Sequence, residues 1–205
     1  MRTVPRAVAR HPAFAPLRTL SSPRRVQDFL DAIPINKERG GETCSSPLVT
    51  LRRNSAHCLE GALVAALAIW MHGGDPLVMD LKTTPDDVDH VVALYRRYGH
   101  WGAIAKTNHA VLRYREPIFR DPREIAASFF HEYTLPSGKK TLRSYSGPFD
   151  LRRYDGDWIA STEPLWALER AIDRSPHEPL LGRAQIAGLR PADPIEIRAG
   201  KLVEW

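Results

Sequence analysis

The segment from His57 to His72 is apolar on nearly every side. Its strongest stripe recurs at helical spacing and consists of Leu59, Ala62, Leu63, Ala66, Leu67 and Trp70. Because a helix without a polar face has to be enclosed by protein, the pattern predicts a buried helix over residues 57–72. Gly73 and Gly74 predict the point at which this helix ends.

Three shorter segments also have helical patterns, at 23–33, 121–133 and 164–173. The first of them carries its apolar residues on one face. The second starts with favourable chemistry, because Asp121 can accept a backbone hydrogen bond and Pro122 suits the first turn of a helix. All three segments therefore predict helices that cover part of a core.

Strand patterns follow the buried helix. Runs rich in β-branched and aromatic residues predict strands at 76–81, 89–97, 101–106, 110–114 and 141–145. Residues 195–205 predict a hairpin that turns at Ala199-Gly200. Residues 34–56 are rich in turn formers and predict irregular structure. Together these segments predict an α+β fold in which the buried helix packs on an antiparallel sheet.

Positive charge is concentrated at the N-terminus. The first 25 residues contain six arginines and no acid, whereas the whole chain has a net charge of +5. The rest of the chain is therefore close to neutral, which argues against nucleic-acid binding by the folded body. We expect residues 1–22 to form a disordered basic arm. We expect residues 23–205 to form one domain, with a core over 34–133 and a C-terminal extension over 141–205.

Cysteine content and hydropathy narrow the class of protein further. The chain has two cysteines, too few for a disulfide scaffold. No apolar run approaches the ~20 residues needed to span a bilayer, and the N-terminus lacks the apolar centre of a signal peptide. The sequence thus predicts a cytoplasmic protein without a membrane partner.

Cys58 stands at the start of the buried helix, where backbone N–H groups lack acceptors and the helix dipole is positive. Both features stabilise a thiolate, which is the reactive form of cysteine. Asn54 and Ser55 precede it as possible caps. Glu60 lies in the same turn and would oppose thiolate formation if its carboxylate pointed at the sulfur. Cys58 alone is equally compatible with a small residue of the core.

A cysteine nucleophile needs a base, and His90 begins the second predicted strand. If the following hairpin is centred on Gly99, His90 lies opposite Asn108 on the same face of the sheet. A two-residue turn at Tyr98-Gly99 would bring Thr107 opposite His90 instead. In either register a polar side chain lies beside the histidine and could hold its ring.

This order of residues resembles the transglutaminase-like branch of the papain-like cysteine protease superfamily. The matching segments are AHCLEGALVAALAIW, with Cys58 at a helix start, and DDVDHVVALYRRYGHWGAIAKTN, with His90 and Asn108 on consecutive strands. The segment around Cys58 is also similar to uncharacterised bacterial proteins. The resemblance covers about residues 54–133 and rests on order and spacing. Many members of the branch have aspartate as the third residue, whereas Asn108 at this place resembles the papain variant of the triad.

The resemblance implies a thiol acyl-transfer enzyme with a Cys-His-Asn triad of Cys58, His90 and Asn108. It implies a peptide, amide or ester substrate, which could be a protein, and a thioester intermediate, with no cofactor. No glutamine or tryptophan upstream of Cys58 completes an oxyanion hole, so the Cys58 N–H and Asn54 are the candidates. Trp101 and Lys106 are further candidates for substrate binding.

Two other interpretations stay open at this point. The domain could be a non-catalytic binding or scaffold domain, with Cys58 as a packing residue. It could also be a metal-dependent hydrolase, with ligands from His57, Cys58, His90 and His109. No established metal-ligand spacing supports the second alternative, so the expected site contains no metal.

Overall fold

The structure is a computed structural model and describes residues 4–204. It is an α+β fold with an antiparallel sheet of seven strands. The helices of the described chain are α1 (Arg6–Arg10), α2 (Pro23–Ala32), α3 (Pro47–Arg53), α4 (Cys58–Met71), α5 (Pro122–Phe129), α6 (Trp166–Asp173), α7 (Arg183–Ala187) and α8 (Pro194–Gly200). The strands are β1 (Leu77–Lys82), β2 (His90–Arg97), β3 (His100–Ile104), β4 (Arg115–Phe119), β5 (Ser144–Ser146), β6 (Phe149–Asp150) and β7 (His177–Pro179).

The sheet has the strand order β4-β3-β2-β1-β5-β7, and β6 pairs with the other end of β1. Strands β2 and β3 form a tight hairpin whose turn is Tyr98-Gly99, and Arg97 pairs with His100. Both turn residues have positive φ, 55° and 79°, which is the geometry of a two-residue hairpin turn. The hairpin therefore adopts the second of the two predicted registers, not the one centred on Gly99.

The central sheet is covered by a helix on each face, which explains its apolar strands. Alternate residues of the strands, such as Val91 and Ala93, pack in one cluster with α4, and the intervening residues, such as Val92 and Leu94, pack in another with α5. Helix α4 is buried from Leu59 to Ala68, as its all-round apolar pattern predicts. This packing places Cys58, the first residue of α4, beside His90, the first residue of β2.

Close packing of α4 depends on Gly61. A Cβ atom built at this position would lie 2.3 Å from the Cβ of Lys106, far inside van der Waals contact. The missing side chain lets the first turn of α4 approach the segment that follows β3. The start of α4, which carries Cys58, is thereby fixed against the chain that leads to Asn108.

The N-terminal segment differs from its prediction as a disordered arm. Residues 4–22 contain α1 and two short 3₁₀ helices, Pro12–Phe14 and Pro16–Thr19. Phe14 and Leu17 are fully buried in the core cluster of α4. A prediction from arginine and proline content overlooks two large apolar side chains that the core can accept. Residues 1–3 of the predicted arm lie outside the described residues.

Three further local predictions were wrong. The strand expected at 110–114 is instead the loop before β4. In place of the hairpin expected at 195–205, the described residues form α8 up to Gly200 and a non-helical segment up to 204, while residue 205 lies outside the described residues. Asp193 precedes α8 and its backbone N–H donates to Glu196, a start signal that the sequence contained. The irregular segment 34–56 contains α3, which begins at Pro47 after a Ser46 cap. No helix of the described chain is long and apolar enough to cross a membrane.

Candidate active site

Cys58 is the first residue of α4, close to the predicted start. Its side chain is half-buried and lies between two cavities on the surface of the protein. The first N–H groups of a helix have no acceptors within that helix. Cys58 also lies at the N-terminus of a helix of fourteen residues, where the aligned peptide dipoles produce a partial positive charge. The backbone therefore already favours negative charge at the sulfur.

The pKa of the Cys58 thiol is lowered from 9.0 to about 5. Burial alone would raise this pKa, but interactions of the sulfur with the side chains of His57 and His90 outweigh that effect. At neutral pH the cysteine is accordingly a thiolate. A thiolate that is partly accessible and has two imidazole neighbours is the chemistry expected of a nucleophile and not of a packing residue.

His57 is the residue that caps the start of α4, a place for which the sequence favours Asn54 and Ser55. Its Nε2 lies 2.9 Å from the carbonyl oxygen of Thr43, so Nε2 carries a proton that it donates. Burial alone would lower the pKa of His57, but the Cys58 thiolate and the Glu60 carboxylate raise it from 6.5 to about 9. His57 is therefore a positive charge beside the sulfur.

Glu60 does not point at the sulfur, which removes the objection raised by its position in the first turn. Its buried carboxylate accepts hydrogen bonds from Arg53 Nη2 at 2.5 Å, Thr43 Oγ1 at 3.0 Å and the Ser45 backbone N–H at 3.1 Å. It also accepts from the His57 backbone N–H at 3.2 Å. Although burial opposes ionisation, the charges and donors around it keep the pKa of Glu60 below its ordinary value. Glu60 thus ties the 36–45 loop and α3 to the start of α4.

His90 is the first residue of β2 and pairs with Leu81 of β1. Its ring is buried against the ring of Phe129, in an edge-to-face arrangement with 6.5 Å between centroids. The strand and the Phe129 contact therefore position the histidine, whose ring interacts with the Cys58 sulfur. Within residues 4–204, His90 Nε2 has no hydrogen-bond partner.

Asn108 lines the same cavity as Cys58 and His90, but it makes no hydrogen bond to His90 Nε2. The β2–β3 ladder ends at the pair Ala93 and Ile104, because the side chain of Gln27 bonds both the N–H and the carbonyl of Ala105. The chain beyond leaves the sheet. The backbone carbonyl of Asn108 accepts from the N–H of Glu204 at 2.8 Å.

Two cavities meet at Cys58. The first has a volume of about 520 Å³ and is bordered by acidic side chains, namely Glu38, Glu42, Asp80, Asp89, Glu169 and Asp173. The second has a volume of about 370 Å³ and is bordered by Cys58, His90, Asn108 and Tyr133. The C-terminal end of α8 at Gly200 forms part of the second wall, so the C-terminal extension contributes to the site. Cys58 is therefore a residue that both cavities share.

The other predicted binding residues lie elsewhere or are engaged by the fold. Asn54 is exposed at the C-terminus of α3 with a φ of 54°, and it borders neither cavity. Trp101 borders a different cavity, where Arg96 Cζ lies 5.1 Å from its ring centroid. Lys106 borders the second cavity, but its buried Nζ donates to the carbonyls of Leu30 at 2.8 Å and of Ile33 at the end of α2.

The residues that the sequence suggests as metal ligands, His57, Cys58, His90 and His109, differ from the potential ligands that lie close together in the described structure. Within the described chain, three or more ligand atoms come within 4.8 Å of one another at Asp80, Asp89 and Asp173. Protein side chains already contact this group, since Lys82 Nζ lies 2.7 Å from Asp173 and His177 Nε2 lies 3.1 Å from Asp80. The group borders the first cavity and makes it strongly acidic.

His57 is the site residue whose role the sequence analysis missed. The sequence suggests it only as a metal ligand and not as the neighbour that charges the thiol. One signal for it is present, since His57 and Glu60 have the spacing of a capping box with histidine in place of serine. No protein-family model matches this chain, and no curated protein is detectably similar to it.

Proposed function

We propose that this protein is a thiol acyl-transfer enzyme in which the Cys58 thiolate attacks an amide or ester carbonyl. The observation that carries the proposal is a half-buried cysteine at a helix start, in a cavity wall, whose thiol interacts with the imidazoles of His57 and His90 and has a pKa of about 5. Structural cysteines are usually buried and keep their proton, because burial disfavours the charged form. The same geometry supports the resemblance to transglutaminase-like and papain-like cysteine enzymes.

In the first half of the reaction the sulfur forms a bond to the carbonyl carbon, and the electron pair of the carbonyl moves to its oxygen. When the tetrahedral intermediate collapses, the bond to the leaving group breaks and His90 gives a proton to the departing nitrogen or oxygen. The product of this half is a thioester on Cys58. The acyl group is then released by water or by an amine, whose proton His90 accepts.

The two histidines have different roles in this proposal. His57 donates through Nε2 to the Thr43 carbonyl and has a raised pKa, so it stays protonated and stabilises the thiolate. His90 interacts with the Cys58 sulfur and borders the cavity that would receive the substrate, which suits a group that exchanges protons. Asn108 borders the same cavity as His90, and in this proposal its side chain turns towards the ring when substrate is bound.

Hydrolysis of p-nitrophenyl acetate by the wild type and by Cys58→Ala tests the proposal. We expect a burst of one nitrophenolate per protein and slow turnover in the wild type, and neither in Cys58→Ala. His90→Gln should reduce both phases, because the sulfur loses an interaction that lowers its pKa and the attacking water loses its proton acceptor. His57→Gln should instead shift the pH dependence of the burst upwards and retain more turnover at high pH.

Cys44→Ala is the matched control, because it removes the other cysteine without touching the site. It should show the wild-type burst and turnover. A Cys58→Ala variant that keeps its fold by circular dichroism and hydrolyses the ester at the wild-type rate would contradict the proposal. A wild-type protein whose Cys58 resists alkylation until it unfolds would favour the alternative of a binding domain.

A further inference from the structure

One buried polar side chain beside Cys58 has no explanation in the fold. Tyr133 follows a 3₁₀ helix, Phe130–Glu132, and its side chain is buried in the core cluster that contains α5. Its hydroxyl is among the few buried side-chain atoms of the described chain that have no hydrogen-bond partner. A buried hydroxyl without a partner costs about 1–3 kcal/mol, so natural proteins rarely keep one without a reason.

The tyrosine is held firmly, so its unpartnered hydroxyl is not the result of a loose segment. Its backbone carbonyl accepts from the N–H of Thr141 at 3.1 Å. The preceding Glu132 accepts from the N–H of Leu112 at 2.6 Å and from Arg115 Nη2 at 2.7 Å. The ring therefore has a fixed position, and Tyr133 is one of the residues that form the wall of the second cavity.

Tyr133 and the candidate nucleophile Cys58 both lie in the wall of this second cavity. Cys58, His90 and Tyr133 all border its volume of about 370 Å³. Burial raises the pKa of Tyr133 well above its ordinary value, and the negative charge of the Cys58 thiolate adds to this effect. The hydroxyl is consequently protonated at any pH at which the enzyme would work, so it is a hydrogen-bond donor beside the sulfur.

A thiol acyl-transfer enzyme needs two donors for the oxygen that becomes negative in the tetrahedral intermediate. The Cys58 backbone N–H, in the first turn of α4, is one donor that the helix leaves available. Asn54, which the sequence suggests as the second, is exposed and borders neither cavity. Among the described residues, a side chain other than Asn54 has to supply the second donor.

Resting on the proposed function, we infer that the hydroxyl of Tyr133 is the second oxyanion donor and that the second cavity receives the substrate carbonyl. When the sulfur bonds to the carbonyl carbon, the electron pair on oxygen is stabilised by hydrogen bonds from Tyr133 and from the Cys58 N–H. No proton leaves Tyr133, and the hydrogen bond weakens again when the carbonyl reforms. A donor without a partner in the free protein gains its bond in the transition state, which is the condition for catalysis by differential binding.

Two reagents separate this role from a general effect on the cysteine. Iodoacetamide alkylates a thiolate at a saturated carbon and develops no oxyanion, whereas p-nitrophenyl acetate acylates it through a tetrahedral intermediate. Tyr133→Phe should therefore alkylate within about twofold of the wild-type rate and acylate about 10²–10³-fold more slowly. Its free energy of unfolding should be unchanged or higher, because the lost hydroxyl had no partner.

Tyr145→Phe is the matched control, since Tyr145 is buried in the same cluster but donates to Glu178 at 2.8 Å and borders neither cavity beside Cys58. It should keep both rates. Wild-type acylation by Tyr133→Phe would overturn the inference and leave the proposed function standing. Equal loss of alkylation and acylation would also overturn it, since the tyrosine would then act by positioning Cys58. Absence of acylation in the wild type would instead refute the proposed function itself.

Discussion

The two cysteines of this chain are fourteen residues apart and have opposite properties. Cys44 is fully buried, and its backbone carbonyl accepts from the N–H of Leu165 at 2.7 Å. Burial raises the pKa of its thiol to about 12, and the carboxylates of Glu169 and Glu60 add to the increase. Cys58 is half-buried beside two histidines, and its pKa is about 5.

Glu60 lies near both cysteines and affects the two thiols in opposite directions. Its charge raises the pKa of Cys44, yet it supports the thiolate of Cys58 by keeping His57 protonated. The Glu60 carboxylate thus raises the pKa of the Cys44 thiol directly, whereas through the protonated His57 it favours the thiolate of Cys58. The direction in which a side chain points matters more here than its distance along the chain.

The largest expected effect is the difference in alkylation between the two cysteines. At pH 7 the pKa values of about 5 and about 12 make the thiolate fraction about 10⁵-fold higher at Cys58. The weaker nucleophilicity of a low-pKa thiolate reduces this ratio by about 10³-fold, which leaves about 10²-fold. Burial of Cys44 should widen the ratio further. Iodoacetamide labelling followed by peptide mapping measures it.

Unfolding in urea, which exposes both thiols, is the control for this measurement, and the two cysteines should then react at similar rates. Comparable labelling of Cys44 and Cys58 in the native protein would contradict the assignment of opposite pKa values.

The second effect concerns the carboxylate that the two cysteines share. Glu60→Ala should lower the free energy of unfolding by about 2 kcal/mol, since the backbone N–H groups of Ser45 and His57 lose their acceptor. We place the loss below the range for fully buried ion pairs because the Arg53 side chain is 31% exposed and can be hydrated. Urea denaturation measures the change. Glu163→Ala, at an exposed position, should change it by less than about 0.5 kcal/mol.

The smallest effect is the pH dependence of stability that the pair of Cys58 and His57 produces. A thiol whose pKa falls on folding, from 9.0 to about 5, stabilises the fold at high pH and loses this contribution as the pH falls towards 5. An imidazole whose pKa rises on folding, from 6.5 to about 9, stabilises the fold at low pH and loses this contribution as the pH rises towards 9.

The contributions of Cys58 and His57 to the free energy of unfolding add at each pH. Between pH 6.5 and 9 the folded pair and the unfolded pair hold the same number of protons, so stability is level. From pH 6.5 down to about 5 the unfolded chain holds one more proton, and the pair should lose about 1 kcal/mol. The difference between the urea stability curves of the wild type and Cys58→Ala isolates this loss. A difference that is constant from pH 5 to 6.5 would show that no ion pair forms.

Helices and strands that depend on local pattern could be predicted from the sequence. The predicted helix at 57–72 is α4, and the predicted helix at 23–33 is α2. Asp121 caps α5 as expected, since its Oδ1 accepts from the N–H of Glu124 at 2.9 Å. Each of these features depends on neighbours within four residues, so the chain around it contains the information.

Predictions that depend on distant contacts were less successful. The N-terminal segment resembles a disordered arm because nothing nearby indicates that Phe14 and Leu17 fill the core beside α4. The expected place of Asn108 assumes that the β2–β3 ladder continues, whereas Gln27 of α2 takes the backbone groups of Ala105. Tyr133 gives no signal as a donor because it is far from Cys58 in sequence and follows no motif.

The sequence by itself determined that the chain has an α+β architecture with a cysteine at the start of its most buried helix. Helix dipoles, caps and apolar periodicity act over a few residues, so the order of amino acids is enough to recognise these properties. Tertiary structure alone decided the charge of that cysteine and the composition of its surroundings. Desolvation and Coulomb interactions depend on distances in space, and only the folded sheet brings His90, Tyr133 and the acidic wall to the sulfur of Cys58.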